Sequence, residues 1–245
     1  MLDFAFILAG FAVGLIVGLT GVGGGSLMTP ILIFFFGVKP YLAVGTDLLF
    51  AAFTKLGGTV SLARQRLVPW RVVGLLCAGS IPAALAALWA LRHLGPESAA
   101  AQRLMTSTLG VALLLTAAAT LYKVLVFSPE RARAEATRRS AQFAHATAPR
   151  HWSLPVLLGA VIGLLVTFTS VGAGAIGVSV LLLVFPHLPL PRIIAADIAY
   201  AVPLTLVAGL GHASLGSVDW PLLAQLLMGS LPGIWLGSRL VSRTP

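Results

Sequence analysis

The sequence predicts an all-α fold: a polytopic transmembrane helix bundle of two repeats. The repeats are expected to be inverted, each opening with a glycine-broken helical hairpin or re-entrant segment. Three observations carry this: a scarcity of charge, long apolar runs, and an internal match at a spacing of about 150 residues. Charged residues are 9% of the chain, against about 25% in ordinary soluble domains. Hydrophobic residues are 58% and the mean hydropathy is +0.98. So few polar groups cannot coat a soluble fold of 245 residues, so lipid has to solvate most of the surface. The net charge of +9 is gathered in a few polar loops, as in cytoplasmic loops of membrane proteins, and is not a nucleic-acid footprint.

The elements follow in order. Residues 4–20 are apolar, and Met1-Leu2-Asp3-Phe4 lacks a basic leader, so this segment is expected to be retained in the fold. Gly21-Val22-Gly23-Gly24-Gly25 interrupts the run, which resumes from Leu27 to Val38. Apolar runs then cover 43–62, 70–91 and 104–127, closing a first membrane repeat at 1–127. Residues 128–152 hold Arg131, Arg133, Arg138, Arg139 and Arg150 with Glu130 and Glu135. They are read as a polar cytoplasmic linker, with an amphipathic helix as one form. The second repeat, 153–245, has apolar runs at 154–171, 175–185, 192–211 and 220–240. The span at 104–127 finds no counterpart after 240.

The repeat is read from paired motifs. Val17–Leu32 is VGLTGVGGGSLMTPIL and Val166–Leu181 is VTFTSVGAGAIGVSVL. Asp47 then falls on Asp197, Val68-Pro69-Trp70 on Val218-Asp219-Trp220, and Gly79-Ser80-Ile81-Pro82 on Gly229-Ser230-Leu231-Pro232. Orientation follows from length and charge. One straight helix over 4–37 would be about 50 Å long, too long for a hydrocarbon core of about 30 Å. If the chain crossed once there, the loop cations would divide nine against six. If it turns back at the glycines, Arg192, Arg239 and Arg243 change sides and the split becomes twelve against three. The positive-inside rule favours the second arrangement, with the N-terminus outside and the linker in the cytoplasm of a multi-pass inner (plasma) membrane protein.

Two breaks are the leading site candidates. The first supplies Thr20, Gly21, Gly23, Gly24, Gly25 and Ser26; the second supplies Thr169, Ser170, Gly172 and Gly174. Non-helical backbone within a bilayer must be buried in protein or line a watery cavity. A half-helix starting after a break offers N–H groups and a positive dipole end to an anion. Paired breaks in two halves point to a transporter's substrate site. The plain alternative is that the glycines only let helices pack closely. Asp47 and Asp197 are ionisable groups in equivalent spans, suited to carrying a proton or facing a substrate charge; the alternative is a helix cap. Lys55, mid-span, offers charge to an anion or pairs structurally with an aspartate, and its counterpart is Thr205. His212 is read as interfacial, Trp70 and Trp220 as interfacial anchors, Pro82 and Pro232 as kinks, and Cys77 as packing. No metal site or cofactor is expected, because one cysteine and five scattered histidines form no ligand cluster.

At these residues the sequence resembles the TauE/SafE sulfite-exporter family of membrane permeases. The resemblance rests on Gly18-Leu19-Thr20-Gly21-Val22-Gly23-Gly24-Gly25, Thr29-Pro30 and Ala43-Val44-Gly45-Thr46-Asp47. The basic turn Arg64–Arg66 before Val68 and the weaker second copy support it. It implies a secondary transporter of a small anion, such as sulfite, a sulfonate or another organosulfur acid, with proton coupling open. The family usually carries a final helix where this sequence stops. Partners are then the lipid bilayer and the small anion. The alternatives are an uncoupled anion channel or facilitator, and a non-transporting subunit of a membrane complex. Enzyme chemistry is not expected: no HExxH or Gly-x-Gly-Asp motif is present.

Overall fold

A computed structural model describes residues 4–20, 25–126, 153–172, 174–185 and 188–243. Among the described residues the chain is helical, without strands. The helices are α1 (Phe4–Thr20), α2 (Gly25–Phe34), α3 (Pro40–Arg64), α4 (Trp70–Leu94), α5 (Ala99–Val126), α6 (Ser153–Thr169), α7 (Ala175–Val184), α8 (Leu190–Ser214) and α9 (Trp220–Arg243). The linker 128–152, and the amphipathic helix expected there, lie outside the described residues. By length and apolar composition α4 and α8 can each cross a bilayer, and α1 and α6 are shorter apolar helices. Large apolar side chains such as Phe35, Leu114 and Leu157 face outward, as a lipid-solvated surface requires.

Local sequence sets the ends of the central helices. Proline occupies the first turn of both α3 and α8, where a missing N–H costs nothing. Both end in a left-handed residue, Arg66 (φ 56°) after α3 and Gly216 (φ 71°) after α8. The N–H of Leu67 donates to Leu62 O at 3.1 Å, and that of Ser217 to His212 O at 2.9 Å. Five-residue connections, 65–69 and 215–219, then reverse the chain into α4 and α9. Trp70 and Trp220 open those helices as exposed aromatic side chains.

Packing is exchanged between the two halves of the sequence. Of the two largest hydrophobic cores, one is built by α1, α2 and α3 with α9, and the other by α6, α7 and α8 with α4 and the inner residues Val44 and Leu48 of α3. The helix pairs α1–α9 and α4–α6 are held by backbone-close contact at glycine. A Cβ on Gly10 would strike Leu226 O, and one on Gly14 would strike Ser230 O. On the other side, Gly159 meets Leu76 O and Gly163 meets Ser80 O in the same way. Gly229 faces Ile7 O and Gly79 faces Val156 O. Residue numbers rise together along each pair, so α1 runs parallel to α9, and α4 parallel to α6.

The central pair, α3 and α8, runs the other way. Leu49 packs on Gly209, whereas Gly58 and Thr59 meet Ile198, the Thr59 hydroxyl donating to Ile198 O at 3.5 Å. The two helices are therefore antiparallel. With the reversals at 65–69 and 215–219, α1, α3 and α9 point one way, and α4, α6 and α8 the other. Because α1 and α3 share a direction, the chain between Thr20 and Pro40 returns across the bundle. The chain between Thr169 and Leu190 does the same.

Candidate functional site

The short helices α2 and α7 lie beside the crossing of α3 and α8, and three buried charged residues gather there. Asp47 and Lys55 are on α3 and Asp197 is on α8; all are almost wholly removed from solvent. Asp47, Ala51 and Lys55 share one helix face at intervals of four, as do Asp197, Ala201 and Thr205 on α8. Asp47 begins two turns inside α3, whose cap is Lys39, so the capping role is not what places it.

Asp47 is held by the short helix of its own half. The N–H and the hydroxyl of Thr29 both donate to Asp47 Oδ2, at 3.2 and 2.5 Å. The Ser170 hydroxyl, from the second break, lies beside the same carboxylate. Neither Ser170 Oγ nor Asp47 Oδ1 has a hydrogen-bond partner among the described residues. Asp197 is likewise held by its own half, through the N–H of Gly174 at the start of α7. Tyr200 lies one turn further along α8 with its hydroxyl near that carboxylate. A Cβ on Gly177 would overlap Asp197 Oδ1 and come within 3.2 Å of Tyr200 Oη, so only glycine leaves room there. Asp197 Oδ1 and Tyr200 Oη also lack a partner among the described residues. The Lys55 ammonium is within electrostatic reach of both carboxylates.

The second break links the two ends of this cluster. Ser170 (φ 57°), Gly172 (φ 130°) and Gly174 (φ 139°) all occupy left-handed or related conformations after α6. Such backbone is open to glycine and strained for serine. Thr169 stabilises it, its hydroxyl accepting the N–H of Val171 at 3.1 Å. Ser170 of this non-helical segment thus lies beside Asp47, and Gly174 beside Asp197. A buried, non-helical segment flanked by two carboxylates and a lysine is a polar centre inside an otherwise apolar bundle.

The model of one family, described as Sulfite exporter TauE/SafE, matches residues 6–245. The chain belongs to the TauE/SafE family. It is 37% identical over 249 residues to the "Probable membrane transporter protein YjnA" of Bacillus subtilis (strain 168), covering 98% of this chain and 90% of the relative. It is 24% identical to "Probable membrane transporter protein YdhB" of the same organism, covering 98% and 90% of the two chains. A "Probable membrane transporter protein" of Xylella fastidiosa (strain 9a5c) is 25% identical, covering 96% and 83%. No solved structure matches the chain. The TauE/SafE chain is accordingly a helical membrane transporter by family.

The expected site residues fall in three groups. Asp47, Lys55, Asp197, Ser170 and Gly174 come together, and Thr169 and Gly172 shape the strand between them. Thr20 ends α1, and Gly25 and Ser26 open α2. Gly21, Gly23 and Gly24 lie outside the described residues. The amide of Gly174, expected to receive an external anion, is met in this state by the carboxylate of Asp197. His212 is not interfacial: it is wholly buried, with Nε2 3.0 Å from Thr167 O. Sequence reading missed Thr29, Tyr200 and Gly177 as site neighbours. Tyr200 had a signal, since it stands three positions after Asp197 and therefore on the same helix face.

Proposed function

We propose that this TauE/SafE protein is a secondary transporter of a small anion, of the sulfite, sulfonate or organosulfur-acid class, coupled to protons through its buried carboxylates. The observation that carries this reading is the non-helical backbone at 170–172 and 174, buried beside Asp47 and Asp197 near Lys55. A bilayer protein keeps irregular backbone and ionisable groups at depth where a polar solute passes. Lys55 supplies the counter-charge, and the amides at the start of α2 and α7 supply donors along two helix dipoles. A tetrahedral or pyramidal oxyanion suits this mixture of one cation and several N–H and O–H donors.

The halves are read as inverted repeats, with the N-terminus outside and the 128–152 linker in the cytoplasm. The antiparallel run of the equivalent helices α3 and α8 supports this, as do the exchanged pairs α1–α9 and α6–α4. Transport then alternates as one half rocks against the other about the α3–α8 crossing.

The test is flux in proteoliposomes. Labelled sulfite, sulfoacetate and thiosulfate are offered with and without an imposed proton gradient. Concentrative movement of at least one, dissipated by a protonophore, is expected. Folded protein that moves none of them removes this substrate class; movement indifferent to the gradient removes the coupling.

A further inference from the structure

The two carboxylates share one cation, and the geometry does not let it serve both equally. The contacts Leu49–Gly209 and Thr59–Ile198 fix the register of α3 against α8. Midway between them stand Thr54 and Lys55 on α3, opposite Pro203 and Leu204 on α8. Lys55 therefore lies within the stretch over which the two helices touch. Asp47 is eight residues before it, about 12 Å along the axis at about 1.5 Å per residue. Asp197 is six to seven residues before Pro203 and Leu204 on α8, about 10 Å along that axis. Since α8 is antiparallel, this second displacement has the opposite sense. Asp47 is thus on one side of Lys55 and Asp197 on the other.

A four-carbon stem can lean one way or the other, not both. The position equivalent to Lys55 is Thr205, whose hydroxyl is already spent on Ala201 O at 2.8 Å. Each carboxylate keeps one oxygen, Oδ1, without a hydrogen-bond partner among the described residues. Each is also tied to a different short helix, Asp47 to α2 through Thr29 and Asp197 to α7 through Gly174.

Resting on the transporter reading above, we propose that Lys55 alternates between Asp47 and Asp197, and that the side whose carboxylate it leaves is the side that opens. The physical reason is desolvation. A buried carboxylate that loses its countercharge must find water or a proton. Water reaches it only if the short helix tied to it moves aside. Lys55 leaning toward Asp47 keeps α2 seated while α7 is released; leaning toward Asp197 reverses this. An anion held at Lys55 rides at the level common to both states, and meets solvent on the side of the abandoned carboxylate. The asymmetry Lys55/Thr205 is then a requirement of the device, because a second lysine would satisfy both carboxylates and hold both sides shut.

The experiment reads access, not transport. Reporter cysteines are placed at Ala51→Cys, between Asp47 and Lys55, and at Ala201→Cys, the equivalent position on α8, in a Cys77→Ser background. Labelling rates with a small charged methanethiosulfonate are compared in detergent. Asp47→Asn leaves Lys55 on Asp197 and weakens the Thr29 bonds that seat α2, so it should raise the rate at 51 and lower it at 201, changing their ratio about fivefold or more; Asp197→Asn, which weakens the Gly174 bond that seats α7, should change the ratio as much in the opposite sense. Asp47→Glu and Asp197→Glu keep the charge and bring it nearer the ammonium. Each should move the ratio opposite to the Asn variant at its own position, and this arm stands if an Asn variant does not fold. Equal shifts in one direction, or an unmoved ratio, overturn the proposal. No anion is needed, so opposite shifts without any flux would refute the substrate reading and leave this one standing. Coupled flux with an unmoved ratio would do the reverse.

Discussion

The Asp47 pocket and the Asp197 pocket each set a short helix against a long one but hold their carboxylates with different chemistry. At Asp47, the short helix offers the N–H and hydroxyl of Thr29, and the far half offers Ser170. The equivalents of Thr29 and Lys55 around Asp197 are Val178 and Thr205. What Asp197 has instead is Tyr200, where the first pocket has Phe50, over Gly177, where the first pocket has Met28. Met28 and Phe50 are fully buried, so hydrocarbon fills the first pocket around the N–H and hydroxyl donors of Thr29. In the second pocket the glycine makes space and an aromatic hydroxyl lines it. The two pockets, each built by a short helix against a long one, thus differ in the side chains that face the charge.

The largest break in this comparison comes from removing its main asymmetry. Lys55→Thr makes α3 carry the residue that α8 carries at 205, and leaves two buried carboxylates without a cation. Unpairing a buried charge costs about 3–5 kcal/mol, so anion flux should fall by about 10²-fold or more. Lys55→Arg, which retains the charge, should keep a measurable fraction. The readout is initial uptake of labelled sulfite into proteoliposomes at matched protein density. Flux within about threefold of the parent in Lys55→Thr would mean that the anion is carried without this ammonium.

Much of this architecture was legible in the sequence because membranes tax irregularity. Broken apolar runs, an aspartate in each half and a mid-span lysine all stand out where nearly every other residue is hydrocarbon. The Gly79 and Gly229 match was visible as well, but its meaning was not. Each glycine lets a helix of one half press on a carbonyl of the first helix of the other half, at Val156 O and Ile7 O. An exchanged contact of this kind leaves no periodic trace along either strand of sequence. His212 misled for a related reason. A histidine near a span end reads as interfacial, yet the α8 terminus is covered by α3 and α6, and its ring reaches Thr167 O. Thr29 was hidden because nothing local distinguishes a threonine that binds a carboxylate eighteen residues away from one that merely packs.

A smaller effect sharpens the comparison from the Asp47 side. Thr29→Val converts the short helix to what α7 carries at 178 with almost no change in shape. It removes the hydroxyl donor at 2.5 Å and keeps the N–H donor at 3.2 Å. A hydrogen bond to a charged group contributes about 1.5–3 kcal/mol, so Asp47 should be held less tightly to α2 by about that amount. Flux is expected to fall about tenfold, and the reporter at 51 to label faster than in the parent. Thr29→Ser, which keeps the hydroxyl, should restore most of the flux. If Thr29→Val and Thr29→Ser behave alike, the hydroxyl is not what seats the carboxylate.

The smallest effect is expected from the Asp197 side. Tyr200→Phe gives α8 the residue that α3 carries at position 50. The Tyr200 hydroxyl is buried, near a carboxylate, and has no hydrogen-bond partner among the described residues. Leaving a polar group buried and unpaired costs about 1–3 kcal/mol. Its removal should therefore leave thermal stability in detergent unchanged or slightly raised, by up to about 1 kcal/mol once lost packing is counted. The same measurement can break the comparison. A melting temperature several degrees lower would show that the hydroxyl has a partner in the working protein. Asp197 Oδ1 borders the same space beside Gly177 and lacks a partner among the described residues, so that partner would be the carboxylate itself or water between the two. Repeating the measurement in Asp197→Asn separates these cases: if the cost of Tyr200→Phe vanishes there, the hydroxyl and the carboxylate act as one unit, and the second pocket replaces the Thr29 hydroxyl with one of its own.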